Sequence, residues 1–478
     1  MQEYEKFYKR IDDNFDAHIK AVQALIRQRS ISNVDPGQGQ DVFDCAEMLR
    51  KMIADLGAEK AEAVDFGQGF PVVFGRLNSK NPNAKTIIVY SLYDVQPAEE
   101  DNWITPPFEA AIVDAEKIDL PRHLGKCIVG RGAKNQKGPT MGCLNAIKTM
   151  LSVTGDVPVN ILFVFDGEEE RGSGNLCGPF RKQYLEELKK ADAAYYLNPS
   201  QDVKGDHIIF LSTRGLCPLE LTLVGGSWGG SSKPLGARDD LWIDSPVMRL
   251  MWALCSLKAQ DGRVLMDRFY DAVAPLSGEI KELIDILAKD LDEAEMYREL
   301  GVKRFKEGKS PKELLSRYIA EPTINIDGIL AGYTGPGIKT NFPNKATVKM
   351  DFRLVPNQNV DDLLAGLRNH LDKHGFSEVK VSILSKYNPS KITSPKEPIV
   401  KAAVKATELL GVRPLLWPIY FGGVPTSIFS DPPLNVPVII GGLGVMGRDH
   451  MANEYFTVEG LRNFEKYVVT FFHEFAKL

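Results

Sequence analysis

At 478 residues the chain is long enough for two or three domains, each with a core of its own. Hydrophobic residues make up 44% and charged residues 25%, an ordinary globular balance, and no apolar run reaches the length that spans a bilayer. The formal net charge of -5 argues against a nucleic-acid partner, which needs a basic face.

The first stretch, Glu5 to about Arg29, places apolar residues at helical spacing, and its charged start lacks the apolar segment of a secretion signal. "DVFDCAEMLRKMIADLG" predicts a second amphipathic helix closed by Gly57. "PVVFGRL" and "TIIVYSLYDV" predict strands, and "GPTMGCLNAIKTMLSV" a helix whose first turn tolerates Pro139. "PVNILFVFDGEEERGS" predicts a buried strand running into an acidic loop. Strands alternating with helices imply a mixed or parallel sheet covered on both faces.

From about Leu211 the pattern changes. "CPLELTLVGGS", "ATVKMDFRLVP" and "VKVSILSK" alternate apolar and polar residues as half-exposed strands do, with helical stretches "SPVMRLMWALCSLKAQ" and "VDDLLAGLRNHLDKHG" between them. Near Ile392 the α/β habit returns with helix "PIVKAAVKATELLG", strand "PVIIGGLG" and a final helix "VEGLRNFEKYVVTFFHEF". The expected architecture is an α/β domain in two pieces, 1–211 and 389–478, with an α+β domain, 212–388, inserted. The six cysteines are scattered with no C-x-x-C pair, which predicts reduced thiols and a cytoplasmic protein.

Four stretches carry candidate chemistry: "SLYDVQP" (91–97), "GRGAKNQKGP" (130–139), "DGEEERGS" (166–173) and "GRDHMANE" (447–454). They bring Asp94, Asn135, Lys137, the run Asp166, Glu168, Glu169 and Glu170, and His450. Carboxylates crowded at a strand's end raise one another's pKa unless a cation compensates. A solvated acidic loop is the bland alternative; the place of this run after a buried strand favours a functional loop.

These stretches, in this order, resemble the zinc-dependent peptidase and deacylase family that includes carnosine-type dipeptidases, acetylornithine deacetylase and succinyl-diaminopimelate desuccinylase. The resemblance covers nearly the whole chain, adds "W-x-x-P-P-F" at Trp103 to Phe108, "TRGLC" at 213–217 and "GYTGPGIKTNFPNKATVKMDFRLVP" at 332–356, and is closest to the dipeptidase branch. It implies a zinc-exopeptidase-like catalytic domain, an inserted lid and dimerisation domain, a lid-mediated homodimer, and a small carboxylated amide or amino-acid-like substrate.

Family members bind two zinc ions that share a bridging Asp, with a Glu as general base. Mapped by motif, the first His falls on Leu92, the bridging Asp on Asn135 and the second Asp on Asn198. The Glu ligand falls on Glu170, the distant His on His450 and the base on Glu169. All three ligands of the first metal are therefore replaced. Leu92 offers no lone pair, and zinc prefers nitrogen, sulfur and carboxylate donors. The expectation is no metal or one divalent ion, zinc or similar, held by Glu170 and His450 with help from the Asn135 oxygen, and no dinuclear centre. His123 in "DLPRHLGKC" is an alternative donor, read first as a surface histidine.

The resemblance also places Trp228, in "GGSWGGS", where family dipeptidases put a lid histidine. It assigns Arg353 to a substrate-carboxylate clamp beside Thr340, and Gly422 and Gly423 of "FGGVPTS" to the substrate loop. Asn135, Asn198 and Trp228 become candidate ligand contacts, and Asp94 and Glu168 join Glu169 as candidate catalytic groups. Three functions follow: amide hydrolysis with one metal or an unusual one, metal-independent acid–base catalysis as a lyase or isomerase, or ligand binding without turnover.

Overall fold

The computed structural model describes residues 3–98, 102–202, 204–420 and 422–478. They form two compact units. The first comprises residues 1–212, 391–420 and 425–478, and the second residues 213–390 and 421–424.

The first unit is built on an eight-stranded sheet. Its order is Lys60–Val64, Val72–Leu77, Asn160–Asp166, Thr86–Leu92, Ala193–Leu197, Val438–Gly441, His207–Phe210 and Pro414–Trp417. The four central strands run parallel and the sheet is mixed towards its edges. The central strands are buried along nearly their whole length, which is why they read as continuous apolar runs. Their register puts Leu92 beside Asp166 and Leu197 beside Gly441, so four C-terminal ends meet along one edge. Ligands of open α/β sheets bind at such an edge.

Helices Glu5–Arg27, Lys137–Thr154 and Val458–Lys477 pack on one another. A buried polar knot ties them: Glu465 accepts from Asn145 Nδ2 at 2.9 Å and lies 2.7 Å from His18 Nδ1. Helix Gln40–Asp55 packs against strands Lys60–Val64 and Val72–Leu77, and Gly57 closes it with φ +82°. No helix among the described residues is long and apolar enough to cross a membrane.

The second unit holds a four-stranded antiparallel sheet in the order Thr323–Ala331, Lys345–Leu354, Gly215–Val224, Lys380–Ile383. Burial alternates along Gly215–Val224, as its sequence predicts. Helices Pro246–Leu257 and Val360–Lys373 supply Leu250, Ala253, Leu257, Leu363, Leu367 and Leu371 to the core over that sheet. The strand Thr323–Ala331 has no sequence signal of its own. Asp327–Gly328 interrupts it, a register shift lies between Ile326 and Gly328, and it forms an edge with Ile329 60% and Leu330 67% exposed.

Removing the carboxylate that joins three helices should be costly. Glu465→Ala is expected to lower the unfolding free energy by about 3 kcal/mol in urea titrations, because His18 and Asn145 lose a buried partner.

Candidate active site

Asp94 follows the strand Thr86–Leu92 and is wholly buried. Its Oδ1 accepts the backbone N–H of Glu169 at 3.1 Å and its Oδ2 that of Glu170 at 3.0 Å, while the Ser32 hydroxyl donates to Oδ2 at 2.6 Å. The acidic loop is thus pinned to the end of the neighbouring strand. Burial, then Glu170 and Asp166, hold the Asp94 carboxyl well above the ordinary carboxylate range. Burial also pushes Asp166 up to about 7, against a hydrogen bond from Ser173.

Within the loop the three glutamates differ. Glu168 lends its side chain to the fold: Oε2 accepts from Phe70 N at 3.0 Å and Oε1 from Asn175 N. Gly69 (φ +65°) leaves room for that carboxylate, since a Cβ there would overlap it. The sequence reading groups Glu168 with the catalytic carboxylates, whereas both of its oxygens are engaged by backbone amides. Glu169 is buried, and desolvation, then Glu170, Asp94 and Asp166, raise its carboxyl well above the usual range. Glu170 Oε2 accepts from Gln96 Nε2 at 2.8 Å.

Asn135, Glu170 and His450 meet. Asn135 Nδ2 donates to Glu170 Oε1 at 2.7 Å and lies 3.2 Å from His450 Nε2, which is 2.9 Å from Glu170 Oε1. The hydrogen bond with Glu170 raises the His450 pKa above its ordinary value, against partial burial. Two adjacent cross-links join these loops, because Lys134 Nζ lies 2.7 Å from Asp449 Oδ1.

The loop before helix Lys137–Thr154 is clamped by Glu454. That buried carboxylate accepts the N–H groups of Gly132, Lys134 and Asn135 at 3.2, 2.9 and 2.8 Å and pairs with Arg131 at 2.8 Å. Arg131 in turn stacks over Trp103, with its guanidinium carbon 5.3 Å from the ring centroid, and its N–H donates to Pro107 O. The "W-x-x-P-P-F" stretch therefore braces this loop.

The donor set decides what a metal could do here. Leu92 is buried hydrocarbon, and the Asn198 side chain is hydrogen-bonded to Tyr420. The first-metal position does not fit zinc. Among the described residues no group of three or more His, Cys, Asp and Glu is gathered for a metal. Donors around one zinc ion with bonds of about 2.0–2.1 Å stand roughly 3.3 Å apart. The Asn135–Glu170–His450 trio, at 2.7–3.2 Å, is slightly tighter, and the Asn135 amide presents oxygen only when turned over. His123 is exposed on the short turn Arg122–Leu124.

The remaining expected residues belong to the second unit. Arg353 Nε donates to Asp351 Oδ1 at 2.6 Å. Thr340 is exposed. Trp228 packs against the second unit's core, bonds Val224 O through Nε1 at 2.8 Å and lies under Arg249. Gly423 lies against Leu216, where a Cβ would fall within 2.6 Å of a side-chain carbon, and Gly422 is half-buried. Sequence reasoning missed Gln96, Lys134, Tyr420 and Glu454. Gln96 lies inside the quoted "SLYDVQP" and Lys134 beside Asn135, so position alone was their signal.

A parallel-centred sheet thus carries a pinned Glu–Glu pair, with a histidine against Glu170, at the C-terminal ends of its strands. The sequence profile of Peptidase family M20/M25/M40 matches residues 88–474, and the chain belongs to that family. A Cys-Gly metallodipeptidase of Schizosaccharomyces pombe is 27% identical over 500 residues, covering 99% of this chain and 98% of its own. The Beta-Ala-His dipeptidase of Homo sapiens is 28% identical over 391 residues, 77% of this chain and 71% of its own. An M20 family metallo-carboxypeptidase from Sulfolobus solfataricus superposes with a TM-score of 0.85 at 30% identity, covering 96% of this chain and 99% of its own. Human carnosine dipeptidase 1 gives 0.79 at 25% identity, covering 99% and 100%.

In metal-free buffer the His450 ring should titrate above the ordinary histidine value of about 6.5. Its ¹H–¹⁵N resonances followed against pH check this, and Glu170→Gln should bring the midpoint down.

Proposed function

We propose that this chain hydrolyses the amide bond of a small carboxylated, dipeptide-like substrate, with Glu169 as general base and at most one divalent metal, at Glu170 and His450. The observation that carries this reading is the loop pinned by Asp94. It presents Glu169 beside Glu170 and sets Glu170 against His450, while the first-metal donors are absent. The dipeptidase names of the relatives support the substrate class. A metal at Glu170 and His450 would polarise a carbonyl or activate a water. Glu169 accepts the proton from the attacking water, and Gln96 and Asp94 keep the pair oriented; Arg353, Thr340, Gly422 and Gly423 are substrate contacts on the family resemblance alone.

A second reading is a metal-independent acid–base enzyme, a lyase or isomerase. It is supported by the buried Glu169 carboxyl, held above the usual carboxylate range by burial and its acidic neighbours, which suits a proton carrier. Binding without turnover is the third.

The proposed assembly is a homodimer through the inserted unit. The exposed edge strand Thr323–Ala331 and the exposed Met248, Met251 and Trp252 of helix Pro246–Leu257 support it. A cytoplasmic location is proposed on the six free cysteines.

Hydrolysis of Cys-Gly and β-Ala-His, followed by amine release, tests the function. Glu169→Gln is expected to lower kcat by about 10²–10⁴-fold with ligand binding kept. Turnover unaffected by the substitution would remove Glu169 from the mechanism. Ligand binding without turnover in the unaltered chain would favour the third reading.

A further inference from the structure

The loops that lost metal-binding side chains carry a cation in their place. Lys134 directly precedes Asn135, its side chain is 17% exposed, and its Nζ is held 2.7 Å from Asp449 Oδ1. Its backbone is fixed by the Glu454 carboxylate, so the ammonium is not on a free arm. An ammonium has three donors and Asp449 takes one, which leaves two for another acceptor.

Around it stand groups that suit an anion. Tyr420 is hydrogen-bonded to the side chain of Asn198, and Lys134, Asp449 and Glu169 all act electrostatically on its hydroxyl. Tyr196 accepts from Gln136 Nε2 at 2.8 Å and feels Tyr420, Glu169 and Glu170. Gln136 is 1% exposed, and its Oε1 has no hydrogen-bond partner among the described residues. A buried, unmatched amide oxygen costs about 1–3 kcal/mol until a donor reaches it. Asp449, Glu169 and Glu170 keep the surroundings acidic, so an anion here is held by direct hydrogen bonds from the ammonium and the phenol rather than by the net field.

We propose that Lys134 and Tyr420 form an anion-binding pocket at the dismantled first-metal position, holding a carboxylate or oxyanion oxygen of the ligand while Gln136 Oε1 accepts an N–H of the same molecule. The identity of that ligand rests on the hydrolase reading; the pocket itself does not. Nζ and the phenolic O–H donate to the anionic oxygen, Asp449 keeps Lys134 in place, and Asn198 does the same for Tyr420.

Acetate is the probe for the pocket. The full chain is melted in EDTA with sodium acetate replacing sodium chloride at constant ionic strength. Acetate should raise Tm by about 2 °C in the unaltered chain. The rise should vanish in Lys134→Met and Tyr420→Phe and persist in Lys134→Arg. No rise in the unaltered chain, or a rise retained in both Lys134→Met and Tyr420→Phe, overturns the proposal. Baseline melts in chloride show whether each variant folds.

β-Ala-His and β-alanyl-histidinamide then identify which oxygen is held. Dipeptide binding weakened about tenfold in Lys134→Met, with amide binding unchanged, assigns the substrate carboxylate. Unchanged binding of both with a fall in kcat alone assigns the oxyanion. An acetate response with no turnover of either probe supports the pocket and overturns the hydrolase reading.

Discussion

One buried carboxyl, Asp94, holds the two glutamates of the proposed chemistry, accepting the backbone N–H of Glu169 with one oxygen and that of Glu170 with the other. A typical intramolecular hydrogen bond is worth about 0.5–1.5 kcal/mol net, and burial of the acceptor makes its loss more expensive. Because the strand register sets Leu92 beside Asp166, the same contact locks one loop to the end of the adjacent strand. In the family that the sequence resembles, this carboxylate orients a histidine ligand. Here its neighbour two residues back is Leu92, and the backbone of the acidic loop, with Ser32, takes up its oxygens.

The other side of the site depends on Glu454 in the same way. Three amides of the loop 132–135 and the Arg131 guanidinium converge on it. Loop geometry is therefore held by Asp94 and Glu454, two carboxylates outside the ligand set that the family resemblance implies. At the positions where the family resemblance puts first-metal ligands, Leu92 lies in the core, Asn135 bonds Glu170 beside His450, and Asn198 bonds Tyr420.

Much of this was legible in the sequence, and the reasons for the exceptions are physical. The central strands announce themselves because burial on both faces leaves only apolar residues in "TIIVYSL" and "ILFVF". The edge strand Thr323–Ala331 does not, because exposure on both faces and the Asp327–Gly328 interruption erase any alternation. At the site, motif order placed Asp94, Glu169, Glu170 and His450, which the structure gathers at one edge of the first sheet. Glu168 looks identical to its neighbours in sequence, and only the turn of the loop, which aims it at Phe70 N and Asn175 N, separates it from them. Trp228 reads as a candidate ligand contact, and the structure adds that it is half-buried against the core of the second unit. Lys134 and Tyr420 lie far apart in the chain, and no spacing rule connects them.

The central claim is that the first metal position has been dismantled while the loops that framed it persist. Metal content of the chain, purified without chelator or added metal and measured by inductively coupled plasma mass spectrometry, tests it most directly. The account predicts at most one equivalent of divalent ion per chain; two equivalents of zinc would contradict it.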